Sequence, residues 1–117
     1  MVSTRLRTLV LRCQDIDRTQ IFYSALGLQF EFEQHGNGPG HYSCDLGGIV
    51  LELYPVDATR SASGPSQLQF AGPLFHELSE GPLPKALGRP RLGEDGLRFI
   101  DPDGRAVWML PSDADEA

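Results

Sequence analysis

Long apolar runs are missing from this chain, and that excludes a membrane-spanning helix. No signal-type apolar segment follows the first residues, Met1 to Arg7, so a cytoplasmic protein is expected. Cysteine is scarce. Cys13 and Cys44 sit in strand-like runs without metal-ligand spacing, and they read as two reduced core thiols. Basic charge is also short. Ten Lys and Arg face 16 Asp and Glu, for a net charge of −6. That balance argues against a nucleic-acid partner, and nothing points to a membrane surface. The remaining composition is globular, 40% hydrophobic and 22% charged. At 117 residues it fits one compact domain with a modest core.

Two stretches look like copies of each other. One runs from Asp45 through Glu52 to Pro55, the other from Asp101 through Trp108 to Pro111. They match at Asp45/Asp101, Gly48/Gly104 and Pro55/Pro111. Each reads as a turn, an apolar strand and a proline stop. Glu52 falls opposite Trp108. A carboxylate within an apolar strand needs a reason, because burying an unpaired charge is costly.

The elements around them repeat too. Arg5 to Cys13 reads as a buried strand. Asp15 can cap a following helix, whose core face is expected at Ile21, Phe22, Ala25 and Leu26. Gly27 suits the left-handed stop. Leu28 to Gln34 alternates as a half-exposed strand. His35-Gly-Asn-Gly-Pro-Gly-His41 is a glycine-rich connection. Tyr42 to Leu46 and Ile49 to Tyr54 are strands joined by a Gly47-Gly48 turn. The first half is therefore β-α-β-β-β. Residues 56–66 read as a linker. A short strand from Gln67 to Phe70 and a short helix from Pro73 to Glu80 follow. Strands at Leu97 to Ile100 and Arg105 to Leu110 flank the Asp101-Pro-Asp-Gly104 turn. The second half repeats the first with its helix and second strand eroded. Asp113, Asp115 and Glu116 belong to a polar tail that reads as disordered.

Leu9 to Tyr23, then Leu26-Gly-Leu28, Leu51-Glu52-Leu53 and Asp101-Pro-Asp-Gly104, resemble the vicinal oxygen chelate superfamily. That group includes glyoxalase I, bleomycin-resistance proteins and extradiol dioxygenases. The resemblance covers nearly the whole chain. It implies an α+β fold, two βαβββ modules in tandem forming a curled mixed sheet around a groove, here with the second module shortened. Module one spans about 5–55, the linker 56–66, module two 67–111 and the acidic tail 112–117. The His-Gly-x-Gly-Pro-x-His-Tyr run is similar to one in small uncharacterised members.

In metal-using members, four ligands lie on the first and last strands of the two modules. The matching positions here are Thr8, Glu52, Gln67 and Trp108. Thr8 and Glu52 are separated by about as much chain as Gln67 and Trp108. Glu52 is a good ligand and Gln67 a usable one. Thr8 is a poor ligand and Trp108 none. A divalent metal needs about three or four donors around an open position. No metal or other cofactor is therefore expected. A divalent ion (Ni, Zn, Mn or Fe) held by Glu52, Gln67 and a histidine from elsewhere is the alternative. His35, His41 and His76 occupy none of the mapped positions and read as solvated or locally bonded. His41, if inward-facing, is a pocket donor or base.

Strand alternation then gives the groove: Thr8, Val10, Arg12, Val50, Glu52, Tyr54, Gln67, Gln69 and Trp108, with His41 beside them. Leu9, Leu11 and Cys13 should meet the helix. Glu52 is the candidate catalytic residue, as a remnant ligand or general base, or else it pairs structurally with Arg12. Trp108 reads as groove filler or as a stacking platform. The favoured expectation is a metal-independent small-molecule-binding protein that works as a homodimer. A metal-dependent lyase, isomerase or dioxygenase is the second reading. A non-catalytic assembly module is the third. Whether the chain is an enzyme stays open.

Overall fold

Asp15 starts the first helix as its place in the sequence suggests. Its carboxylate accepts from the backbone N–H groups of Asp17 and Arg18, at 3.0 and 3.2 Å. Gly27, with φ of 95°, ends that segment in the left-handed region that glycine tolerates. A computed structural model describes residues 3–62, 66–93 and 95–112. Part of the linker (63–65) and Asp113, Asp115 and Glu116 of the tail lie outside the described residues.

In chain order the elements are β1 (Thr8–Cys13), α1 (Ile16–Ser24), β2 (Glu31–Glu33), β3 (His41–Asp45) and β4 (Val50–Pro55). Then come β5 (Gln67–Ala71), α2 (Leu74–Glu80), a 3-10 turn (Lys85–Leu87), β6 (Arg91–Leu92), β7 (Leu97–Ile100) and β8 (Ala106–Leu110). The fold is α+β, two βαβββ modules in tandem. The eroded second strand survives as the two residues of β6, and the 3-10 turn has no counterpart in the sequence reading. Among the described residues, no helix is long and apolar enough to cross a membrane.

The strands form two four-stranded mixed sheets, ordered β1-β4-β3-β2 and β5-β8-β7-β6. In each, the first strand pairs in parallel with the last. β1 and β5 are sheet edges, so the two sheets are not closed into the single curled sheet that the resemblance implied.

Leu11, Cys13, Leu51 and Leu53 are buried together with Phe22, Tyr23 and Leu26 of the α1 segment. Two expectations fail here. Ile21 is 54% exposed, and the helix buries Thr19 and Tyr23 instead. Leu9, toward the open end of β1, keeps 36% exposure. Phe32 is also exposed, because β2 is the far edge of its sheet.

The modules meet around a buried ion pair. Arg105 is fully buried and donates through Nη1 to Asp101 Oδ2 at 2.8 Å. The Tyr23 hydroxyl donates to the same oxygen at 2.7 Å. Asp101 Oδ1 accepts from the backbone N–H groups of Asp103 and Arg105. Arg105 Nη2 donates to the backbone carbonyl of Arg12. A buried charge survives only with such partners. Burial opposes the charge on Arg105, but the Asp101 carboxylate outweighs that and raises its pKa. Burial and the same carboxylate push Tyr23 up.

Candidate functional site

β4 alternates cleanly. Leu51 and Leu53 point into the core, and Val50, Glu52 and Tyr54 line the other face, half-buried. The ladder sets Thr8 beside Val50, Val10 beside Glu52 and Arg12 beside Tyr54. On the other side of β4, Ser43 lies beside Glu52. One strand further, Glu33 of β2 faces His41 of β3.

His41 is the centre of this face. It is a buried histidine whose Nε2 lies 3.5 Å from Glu33 Oε1 and 3.5 Å from Glu52 Oε2. The Tyr54 hydroxyl is 3.3 Å from the same nitrogen. The two rings stack, with centroids 4.1 Å apart and planes 9° apart. The Arg12 guanidinium sits 4.8 Å from the Tyr54 centroid and donates to the Pro55 carbonyl at 3.3 Å. Burial and the charges of Glu52 and Glu33 raise the Tyr54 pKa, and Arg12 offsets part of this.

The histidine tautomer follows from its neighbour. Nδ1 lies 3.3 Å from the Pro39 carbonyl oxygen, which can only accept. Nδ1 therefore carries hydrogen. In the neutral ring Nε2 then keeps its lone pair in the ring plane, while the Tyr54 hydroxyl, 3.3 Å from that nitrogen, sits across the stack.

The glycine-rich connection between β2 and β3 shapes the rim of this site. The Gly38 N–H donates to the His35 carbonyl, and the Gln34 side chain donates to the Gly38 carbonyl. A Cβ at Gly40 would lie 2.3 Å from the tip of the Phe32 ring, which packs over this glycine. The folded loop brings the His35 ring to 5.4 Å from the His41 ring. Ligand-capable atoms of Glu33, His35 and His41 then lie within 4.8 Å of one another.

Gln67, Gln69 and Trp108 belong to the second sheet. Gln69 pairs with Trp108, and Gln67 with Ala106. The Trp108 ring packs on Gly93, where a Cβ would come within 2.6 Å. A cavity of about 210 Å³ lies among Gln67, Gln69, Asp95, Trp108 and Leu110. Another, of about 320 Å³, lies between β5 and the apolar residues Leu9, Leu46, Ile49 and Leu51. Glu52 lines neither.

The residues expected in one groove thus fall into two groups. Thr8, Val10, Arg12, His41, Val50, Glu52 and Tyr54 share the first sheet, whereas Gln67, Gln69 and Trp108 share the second. Thr8 lies beside Val50, two residues short of Glu52, and Gln67 beside Ala106, two short of Trp108. With one carboxylate, one amide, a hydroxyl and an indole, these four positions do not fit a divalent metal. The carboxylate of Glu52 is reached by His41. Glu33 and His35 were not among the expected site residues. The signal was the period-two pattern that runs from Glu31 through Glu33 to His35.

No family model matches the sequence, and no curated protein matches it either. Solved structures do match the fold. The trypanothione-dependent glyoxalase I of Leishmania major aligns with a TM-score of 0.68 at 17% identity, over 97% of this chain and 91% of that one. The YycE protein of Bacillus subtilis is of unknown function and described as a candidate glyoxalase/fosfomycin resistance protein. It aligns at 0.66 and 22% identity, over 90% of this chain and 88% of that one. An integron cassette protein of Vibrio cholerae aligns at 0.61 and 23% identity, over 95% and 97%. The fold is that of the vicinal oxygen chelate superfamily.

Proposed function

We propose that this chain binds a small organic molecule on the open face of the first sheet, around His41 and Tyr54. The reading rests above all on the stacked His41–Tyr54 pair held between two carboxylates and a guanidinium. Aromatic surface with a few convergent polar groups is what small-molecule sites offer. The structural likeness to a candidate glyoxalase/fosfomycin resistance protein supports the same direction. Glu52, with its carboxylate beside His41 Nε2, is the group proposed to accept a proton or hydrogen bond from the ligand. The site needs no metal at Thr8, Glu52, Gln67 and Trp108.

We further read the protein as a cytoplasmic homodimer. Both cysteines are free and buried, as suits a reducing compartment. Leu6, just before β1, and Leu9 and Val10 within it are exposed, and as a sheet edge this strand offers apolar surface and an open backbone edge to a second copy. Sedimentation equilibrium at micromolar concentration should give twice the chain mass, and a monomer would reject the pairing.

A compound screen by thermal shift tests the binding reading, with chelator present throughout. A hit should raise the melting temperature of the native chain and fail to do so with Tyr54→Ala. A hit that stabilises Tyr54→Ala equally would place the ligand elsewhere and overturn the reading.

A further inference from the structure

We infer that Glu33, His35 and His41 form a site for one divalent transition-metal ion. It lies at the β2–β3 end of the first sheet, and its three ligands are none of the four positions that the resemblance assigns to a metal, although Glu52 borders it. It goes beyond the small-molecule reading and does not depend on it, although both involve His41.

The sheet itself builds two of the three ligands. Glu33 and His41 are ladder partners, so the backbone fixes their juxtaposition, and Glu33 Oε1 is 3.5 Å from His41 Nε2. His35 lies two residues beyond Glu33, and the loop's internal hydrogen bonds turn it back toward His41. Donor atoms of all three lie within 4.8 Å of one another. Donors around a tetrahedral zinc ion stand about 3.3 Å apart, as bonds of roughly 2.0 to 2.1 Å require. Small side-chain rotations at Glu33 and at the exposed His35 close that difference.

The surroundings suit the role. The Pro39 carbonyl accepts from His41 Nδ1, which fixes the ring and aims the Nε2 lone pair inward. Metal-binding histidines regularly have such a partner on their other nitrogen. Glu52 Oε2, 3.5 Å from the same Nε2, is within reach as a further donor. Two imidazoles with one or two carboxylates suit zinc, nickel, cobalt or ferrous iron. Calcium and magnesium prefer all-oxygen sites and are disfavoured.

Zinc titration of tag-free, full-length, chelator-dialysed protein by calorimetry tests the site, with cobalt absorption reporting the ligand set. About one ion per chain is expected, with binding weakened at least about tenfold by His35→Ala or Glu33→Gln. His35 is exposed, so its replacement should leave the fold intact, which circular dichroism checks. Glu80→Gln, which removes an exposed carboxylate in the second half of the chain, should bind as the native chain does. Failure to bind one ion, or binding that survives His35→Ala, overturns the site. The compound screen in chelator is unaffected by that result, so the two readings fail separately.

Discussion

The hydroxyl of Tyr23 and the carboxylate of Asp101 lie 2.7 Å apart, although 78 positions separate them in the chain. The contact joins the first helix to the turn between β7 and β8. Tyr23→Phe leaves Arg105 on that carboxylate and removes one hydrogen bond, so a loss of about 1 to 3 kcal/mol is expected. Asp101→Asn strips the buried guanidinium of its charge partner and should cost about 3 to 5 kcal/mol. Urea unfolding of the two variants measures both. Equal losses would show that the ion pair contributes nothing beyond the tyrosine bond.

Alkaline pH should destabilise the protein. The Tyr23 phenol ionises near 10.0 in the unfolded chain but well above that in the fold, because burial and Asp101 disfavour the phenolate. Above about pH 10 the unfolded state therefore binds fewer protons, and stability falls as pH rises. Cys13 and Cys44, raised by burial from 9.0, add to the fall from about pH 9. No single group contributes a slope steeper than about 1.4 kcal/mol per pH unit. Urea midpoints from pH 8 to 11 should show this slope, and Tyr23→Phe should make it shallower.

Two glycines should respond oppositely to alanine. At Gly96 a Cβ would lie 2.4 Å from the Met109 carbonyl oxygen, a backbone atom that cannot step aside. Gly96→Ala is expected to lose about 1 to 3 kcal/mol by overpacking. At Gly72 nothing lies within 4 Å, and its φ is not positive. Gly72→Ala should change stability by no more than about 0.5 kcal/mol. Thermal melts of the pair would decide it.

Tyr54 offers a graded test of the proposed binding face. Tyr54→Phe keeps the stacked ring and loses the hydroxyl on His41 Nε2. Tyr54→Ala loses both, together with the surface under Arg12. For a ligand found by thermal shift, the phenylalanine variant should weaken binding a few-fold and the alanine variant more than about tenfold. Calorimetry gives the ratio, and equal effects would assign the whole contribution to the hydroxyl.

Much of the fold was legible because its signals are local. Asp15 announces a cap, Leu51 and Leu53 alternate with Glu52 and Tyr54, and Asp101-Pro-Asp-Gly104 announces a turn. The repeat between the Glu52 and Trp108 strands was also visible in sequence, and both are the last strands of their modules in chain order and lie second in their sheets. What depended on pairing was not legible. No spacing reveals that Thr8 stands beside Val50, or that a glycine loop returns His35 to His41. Arg105 reads as an ordinary strand-opening charge, yet it is fully buried, because its guanidinium spans the nearby Asp101 carboxylate and the carbonyl of Arg12 on the distant β1. Ile21 was misplaced for a related reason. Its helix is too short for periodicity to tell which flank the sheet would cover.

The hydrogen bond from Arg105 to the Arg12 carbonyl has a consequence for how the halves divide their work. Arg12 is the residue whose guanidinium lies over Tyr54, and its backbone is gripped from the other half of the chain. The first half owns the side chains of the proposed site, while the second supplies the clamp on the backbone of one of them. A first half expressed alone would carry every residue of the proposed site and still lack the vice that holds β1 in line.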